Sequence, residues 1–262
     1  MADSGQKRRR LTIGIGGAAA AALVAFGVFA AFGGLSGASA SSAIPSPPAR
    51  NKVFVPDDDG TGADSQANLM RSVAPGLVHI LSGSQATGVG IILTPSGLVL
   101  TSAQEVSGTA KLSVRTVVSG RSFPARVLGR SAADDLALVQ IEGLSTPLRP
   151  ITVGNSRDFA AGQAVSTLGS AGDTKSVVLD LGNLTSHQGT LTVAGHPLTG
   201  LLESHLQVPP EQETGGPVVN LSGQTIGINV GGAGSGLHAT GLAVPINRAL
   251  AVAKGLQSRA AH

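Results

Sequence analysis

The sequence predicts an all-β body, two small closed barrels of about six strands each, finished by a C-terminal helix. Three observations carry this. Short apolar strand signals separated by turn residues recur at close intervals from Gly76 onward. Of 262 residues 37 are glycine and only 2% are aromatic, with no Trp or Tyr, a balance that suits many short strands and turns. A hydrophobic content of 42% is enough to build a core, which excludes an intrinsically disordered chain.

From the N-terminus, residues 1–10 form a basic tail with Lys7, Arg8, Arg9 and Arg10. Residues 11–35 follow without a single charge over 25 positions. Roughly 20 apolar residues suffice to cross a bilayer as a helix, whereas a secretory signal core is roughly 7 to 15 long. The reading is therefore a transmembrane helix, with the positive charges cytoplasmic and everything after Leu35 outside. Ala38-Ser39-Ala40 resembles a signal peptidase site, so secretion after cleavage near Ala40 is the competing reading. Both export the body. Residues 36–62 read as a flexible linker rich in Ser, Ala, Pro and Gly. Its acidic knot at Asp57, Asp58 and Asp59 lacks the spaced ligands and closing Glu of a calcium loop.

The formal charge of +3 belongs to the tail, because residues 11–262 hold 14 basic against 14 acidic side chains. Nothing in the body points to nucleic acid. The absence of Cys excludes disulfides and thiolate metal sites.

The body, residues 63–262, opens with a short helix over SQANLMRSV. Six strand signals follow: GLVHIL, GVGIILT, GLVLTS, KLSVRTVV, SFPARVLG and DLALVQI. Six strands in so short a span close best as a barrel, since closure removes edges. A second series reads PITVG, AVSTLG, SVVLDLGNL, GTLTV, LLESHLQV, PVVN, TIGINV and ATGLAVP, for a second barrel of similar size. NRALAVAKGLQSRA has apolar residues at helical spacing and is expected to lie against that second barrel. Within this series Thr214-Gly215-Gly216-Pro217 is a rigid elbow, presenting one hydroxyl where glycines permit torsions closed to other residues.

Two β-barrels with such an elbow resemble the trypsin-like fold. The chain is similar to the HtrA (DegP-like) branch of bacterial serine endopeptidases through five ordered segments: GVGIILTPSGLVLTSAQEV, KLSVRTVVSGRSFPARVLGRSAADDLALVQI, ITVGNSRDFAAGQAVSTLG, ETGGPVVNLSGQTIGINV and GLAVPIN. The PDZ domain common in that branch is not expected here. The resemblance implies a catalytic triad, and the chain departs from it. The family's T-N-x-H is matched by Thr101-Ser102-Ala103-Gln104, so an amide stands where the general base belongs. An amide has no usable titration near neutral pH. The orienting carboxylate matches Asp135. The family's G-N-S-G-G-P is matched by Gln212-Glu213-Thr214-Gly215-Gly216-Pro217. Thr214 replaces the nucleophilic Ser, and its β-branch restricts the rotamer. Gln212 replaces the glycine whose backbone N–H, with that of Thr214, forms the family's oxyanion hole. Gly215 and Gly216 keep the substrate-binding turn.

No histidine offers an evident replacement base. His205 reads as a half-buried neighbour on a pocket-wall strand, and His79 shares a face with Leu77 and Leu81. His187, His196 and His238 sit beside turn signals. There is no metal-ligating His spacing, and no metal or cofactor is expected. The run Gly231–Gly236 follows no βαβ pattern, so it reads as a hairpin tip or pocket loop and not a phosphate cradle.

These features give a membrane-anchored pseudoprotease that binds peptide or protein segments. The alternative is an active endopeptidase using Thr214 with some other activating group, acting on envelope or misfolded proteins. A regulatory subunit pairing with an active relative is a third reading.

Overall fold

The structure is a computed structural model and describes residues 61–108, 111–170, 176–206, 214–233 and 239–261. The basic tail, the apolar stretch 11–35 and the linker lie outside the described residues. No helix among the described residues is long and apolar enough to cross a membrane.

Helix α1 (Thr61–Val73) leads into the first barrel: β1 (Leu77–Ser82), β2 (Gln85–Ile92), β3 (Leu98–Ser102), β4 (Leu112–Thr116), β5 (Ser122–Ser131) and β6 (Leu136–Ile141). They close in the order β1-β2-β3-β6-β5-β4. The second barrel holds β7 (Ala164–Ser170), β8 (Val177–Val193), β9 (His196–Leu206), β10 (Pro217–Asn220), β11 (Thr225–Ala233) and β12 (Ala239–Pro245), closed as β10-β11-β12-β9-β8-β7. Helix α2 (Ile246–Ala260) ends the body. Every neighbouring pair of strands is antiparallel.

Strand periodicity sorts the apolar residues into three cores. Val78, Ile80, Val99, Ala137 and Val139 fill the first barrel. Val165, Leu184, Leu202, Val218 and Ile226 fill the second. The opposite faces of the same strands, including Leu98, Leu100, Leu136 and Leu138, meet Leu168, Ile228 and Val244 in a third cluster between the barrels. Strands such as LALVQI are buried on both faces, which is why they read as nearly continuous apolar runs. Mostly Val, Ile, Leu and Ala fill these narrow interiors, so the barrels close without Trp or Tyr.

The structure corrects three expectations. PITVG is not a strand: only Val153 makes a bridge, to Thr225. The segment is a strap between barrels, with the Ile151 N–H donating to Ile92 and the Gly154 N–H to Thr225. SVVLDLGNL and GTLTV are one strand, β8, whose pairing with β9 absorbs the polar residues between them in register shifts from Leu184 to Leu191. Helix α2 also does not rest on the second barrel alone. Leu256 packs over Gly129 of β5, and Arg248 forms an ion pair of 2.7 Å with Asp134 just ahead of β6. Conversely α1, from before the first barrel, lays Leu69 and Ser72 against Gly223 in the β10–β11 turn. Each terminal helix thus ties one barrel to the other.

Candidate active site

Gln104, Glu105, Leu191–Ala194, Thr214 and Val230–Gly232 line a cleft of about 390 Å³. Gln104 and Glu105 come from a short 3-10 turn, Gln104–Val106, directly after β3. Thr214 begins the elbow before β10. The β8–β9 hairpin supplies the far wall, turning at Ala194 and Gly195 with φ of 48° and 82°, the torsions of a two-residue primed turn that matches strand twist.

The elbow is wedged against the first barrel. Gly215 has φ of 81°, and a Cβ there would strike the Val89 carbonyl and the Thr101 hydroxyl. The Thr101 hydroxyl itself donates to the Val89 carbonyl at 2.7 Å. On its other side the elbow is held by β11: the Gly215 N–H donates to the Asn229 carbonyl at 2.7 Å, and the Asn229 N–H to the Gly216 carbonyl at 2.8 Å. Thr214, at the end of this clamp, is only 8% exposed.

The structure brings Gln104 and Asp135 together. Gln104 Nε2 donates to Asp135 Oδ2 at 3.0 Å and to the Val230 carbonyl at 3.3 Å. Ser102 Oγ donates to the same carboxylate oxygen at 2.6 Å, and the Ala103 N–H to the Asp135 carbonyl at 2.9 Å. Asp135 is buried and adopts φ of 48°, a left-handed conformation that Asp tolerates better than most side chains. The two adjacent aspartates are divided in labour. Asp134 binds Arg248 and Ser131 at the surface seam, and Asp135 turns inward. Burial raises the Asp135 pKa; hydrogen bonds from Gln104 and Ser102 only partly oppose this. The neutral amide supplies a donor but no compensating charge.

Gln212 and Glu213 lie outside the described residues. Gly231 and Gly232 line the cleft, in line with a pocket loop. His205 is exposed and no part of the cleft, not the half-buried pocket-wall residue expected. His187 is half-buried and His196 exposed, while His238 lies outside the described residues. His79 is buried in β1 between Val89 and Arg115. No His lines the cleft, and no cluster of potential metal ligands occurs among the described residues.

Sequence reasoning missed two parts of the site. One is the Leu191–Ala194 wall, hidden because β8 was divided at its polar middle. The other is Glu105, the only acidic residue between Asp64 and Asp134. It is 8% exposed, and burial, reinforced by the nearby Asp135 charge, pushes its pKa up to about 8, with the Thr87 hydroxyl opposing. The folded chain therefore holds a proton that the unfolded chain releases near 4.5. Between these values the folded state binds more protons, so stability falls as pH rises through the window. At about 1.4 kcal/mol per unit, we expect urea unfolding to show a loss of about 2–4 kcal/mol from pH 5 to pH 9. Glu105→Gln is expected to flatten that slope.

A model of the trypsin-like peptidase domain family matches residues 88–228. The closed double barrel, the elbow and this match show that the chain belongs to the trypsin-like peptidase domain family. Its relatives are DegP-like. It is 29% identical over 180 residues to Protease Do-like 1, chloroplastic, of Arabidopsis thaliana, covering 65% of this chain and 39% of that one. It is 27% identical over 220 residues to a probable periplasmic serine endoprotease DegP-like of Pseudomonas savastanoi pv. phaseolicola, covering 78% and 43%. The chain thus spans about two fifths of the length of these relatives. Among solved structures, the apo MamO protease domain from Magnetospirillum magneticum is similar, with a TM-score of 0.61 and 27% identity, covering 69% of this chain and 97% of that one.

Proposed function

We propose that this chain is a membrane-anchored, extracytoplasmic pseudoprotease that holds peptide or protein segments in the cleft without cutting them. The observation that carries this is the Gln104 amide. Its nitrogen is committed to Asp135 and Val230, and its oxygen is far too weak a base to take the Thr214 proton and return it to a leaving amine. Glu105, the one titratable group that lines the cleft among the described residues, keeps its own proton at neutral pH. Asp135 therefore orients an amide that performs no proton transfer. The anchor rests on the uncharged residues 11–35 behind the basic tail, and placement outside agrees with the word periplasmic in the name of a relative.

Binding is supported by the edge of β11. Its pairing with β10 ends at Ile228, and Asn229 is engaged by the elbow. Val230, Gly231 and Gly232 then run on along the cleft with β12 on one side. An extended peptide laid there adds a strand, taking affinity from main-chain hydrogen bonds. Residues 51–262, which hold both barrels and both helices, are expected to bind fluorescein-labelled extended peptides saturably, with Kd on the order of 10 μM. Fluorescence anisotropy checks this. The reading fails if no member of a random peptide library binds saturably.

A further inference from the structure

The Glu105 side chain occupies a seat that two glycines leave open. A Cβ on Gly88 would overlap its carboxyl group, and a Cβ on Gly215 would stand 3.3 Å from its Cγ. The carboxyl is thus threaded between β2 and the elbow, and Glu105, next to Gln104 in the chain, is one of the residues that line the cleft. Among the described residues its surroundings supply no cation. Among the elements packed on it, β2, β3 and the elbow residues 214–217 carry no titratable group, β1 carries His79, and the turn before β6 carries Asp135. Arg130 of β5 is committed elsewhere, its Nη2 donating to the Val106 carbonyl at 2.6 Å. The Thr87 hydroxyl, which donates to the Glu105 main-chain carbonyl at 2.8 Å, is a neutral neighbour and brings no charge. No Lys, Arg or His lines the cleft among the described residues. A buried acid at a binding surface, with no cationic partner among the described residues, is complementary to a cation from outside.

We infer that the cleft takes a peptide segment bearing a Lys or Arg side chain, whose charge pairs with the Glu105 carboxyl and displaces its proton to solvent. This rests on the peptide-binding reading above and names the class of peptide. Binding of the cation and loss of the proton are one event, so affinity for a basic segment rises with pH. Asp135, already holding hydrogen bonds from Ser102 and Gln104, adds negative potential from behind without changing partners.

The test uses the full chain in detergent and two labelled peptides, acetyl-Val-Ala-Arg-Ala-Val and its citrulline counterpart, which keeps the shape and removes the charge. At pH 8.5 the Arg peptide is expected to bind about tenfold tighter, and at pH 5.5 less than about threefold tighter. In Glu105→Gln the two peptides are expected to bind alike at both pH values. Calorimetry of the unsubstituted chain at pH 7.5, in two buffers of different ionisation heat, is expected to show proton release with the Arg peptide only, and this readout does not depend on the variant folding. Equal affinities for the two peptides, an Arg advantage that survives Glu105→Gln, or no proton release would overturn the inference while leaving peptide binding intact. Failure of both peptides to bind overturns the peptide-binding reading and this inference with it.

Discussion

A chain carrying Gln104→His, Gln212→Gly and Thr214→Ser together is expected to cleave unfolded casein and to react with a fluorophosphonate probe, at least about 1000-fold above the unsubstituted chain. The carboxylate for this is already in place. Asp135 Oδ2 lies 3.0 Å from Gln104 Nε2, so an imidazole at that position inherits an oriented carboxylate. The Ser102 hydroxyl, at 2.6 Å from the same oxygen, keeps that carboxylate in place. Removing the Thr214 methyl frees the hydroxyl to rotate toward the cleft. By the family resemblance, glycine at Gln212 returns a turn that can present its N–H to an oxyanion. Parts that act as a unit are non-additive, so Gln104→His alone is expected to stay within about tenfold of background. A folded triple variant that neither cleaves nor labels would mean that the cleft no longer holds protease geometry.

Gly215→Ala is expected to destabilise the body by about 2–5 kcal/mol in urea unfolding. A left-handed conformation at φ of 81° costs a side chain about 1–2 kcal/mol. The new Cβ also meets the Val89 carbonyl and the Thr101 hydroxyl, backbone and buried atoms with nowhere to go, and overpacking of that kind costs about 1–3 kcal/mol more. Gly83→Ala is the control. It shares the left-handed conformation, with φ of 64°, but nothing lies within 4 Å of its Cβ, so only the conformational cost of about 1–2 kcal/mol is expected. Equal losses at the two positions would show that the elbow is not wedged between barrels.

Much of this was legible in the chain. Strands whose two faces are both buried, such as β3 and β6, announce themselves as apolar runs bounded by turn residues. The Thr214–Pro217 elbow is a short-range signal, since glycine torsions and a proline that starts β10 are local matters. What stayed hidden depends on pairing between distant segments. PITVG has strand composition, yet its amides bond to Ile92 and Thr225, and no local pattern distinguishes a strap from a strand. Thr185 to Gln188 look like a turn. In the fold they are carried along by β9, with the Thr185 hydroxyl donating to the Glu203 carbonyl at 3.1 Å. Glu105 is hidden for another reason. Its significance lies in the space vacated by Gly88 and Gly215, 17 residues before it and 110 after it in the chain. A carboxylate beside a motif position reads as solvated until its neighbours are known.

The central claim is that the chemistry has been lost while the cleft remains, and one comparison tests it most directly. Residues 51–262 and their Thr214→Ala variant are incubated with unfolded casein at pH 7 beside an active serine protease. Both proteins are predicted to leave casein intact over the full course, with indistinguishable baselines. Cleavage by the unsubstituted protein that disappears in Thr214→Ala would contradict the account, because it would show that Thr214 is activated by a group other than the amide of Gln104.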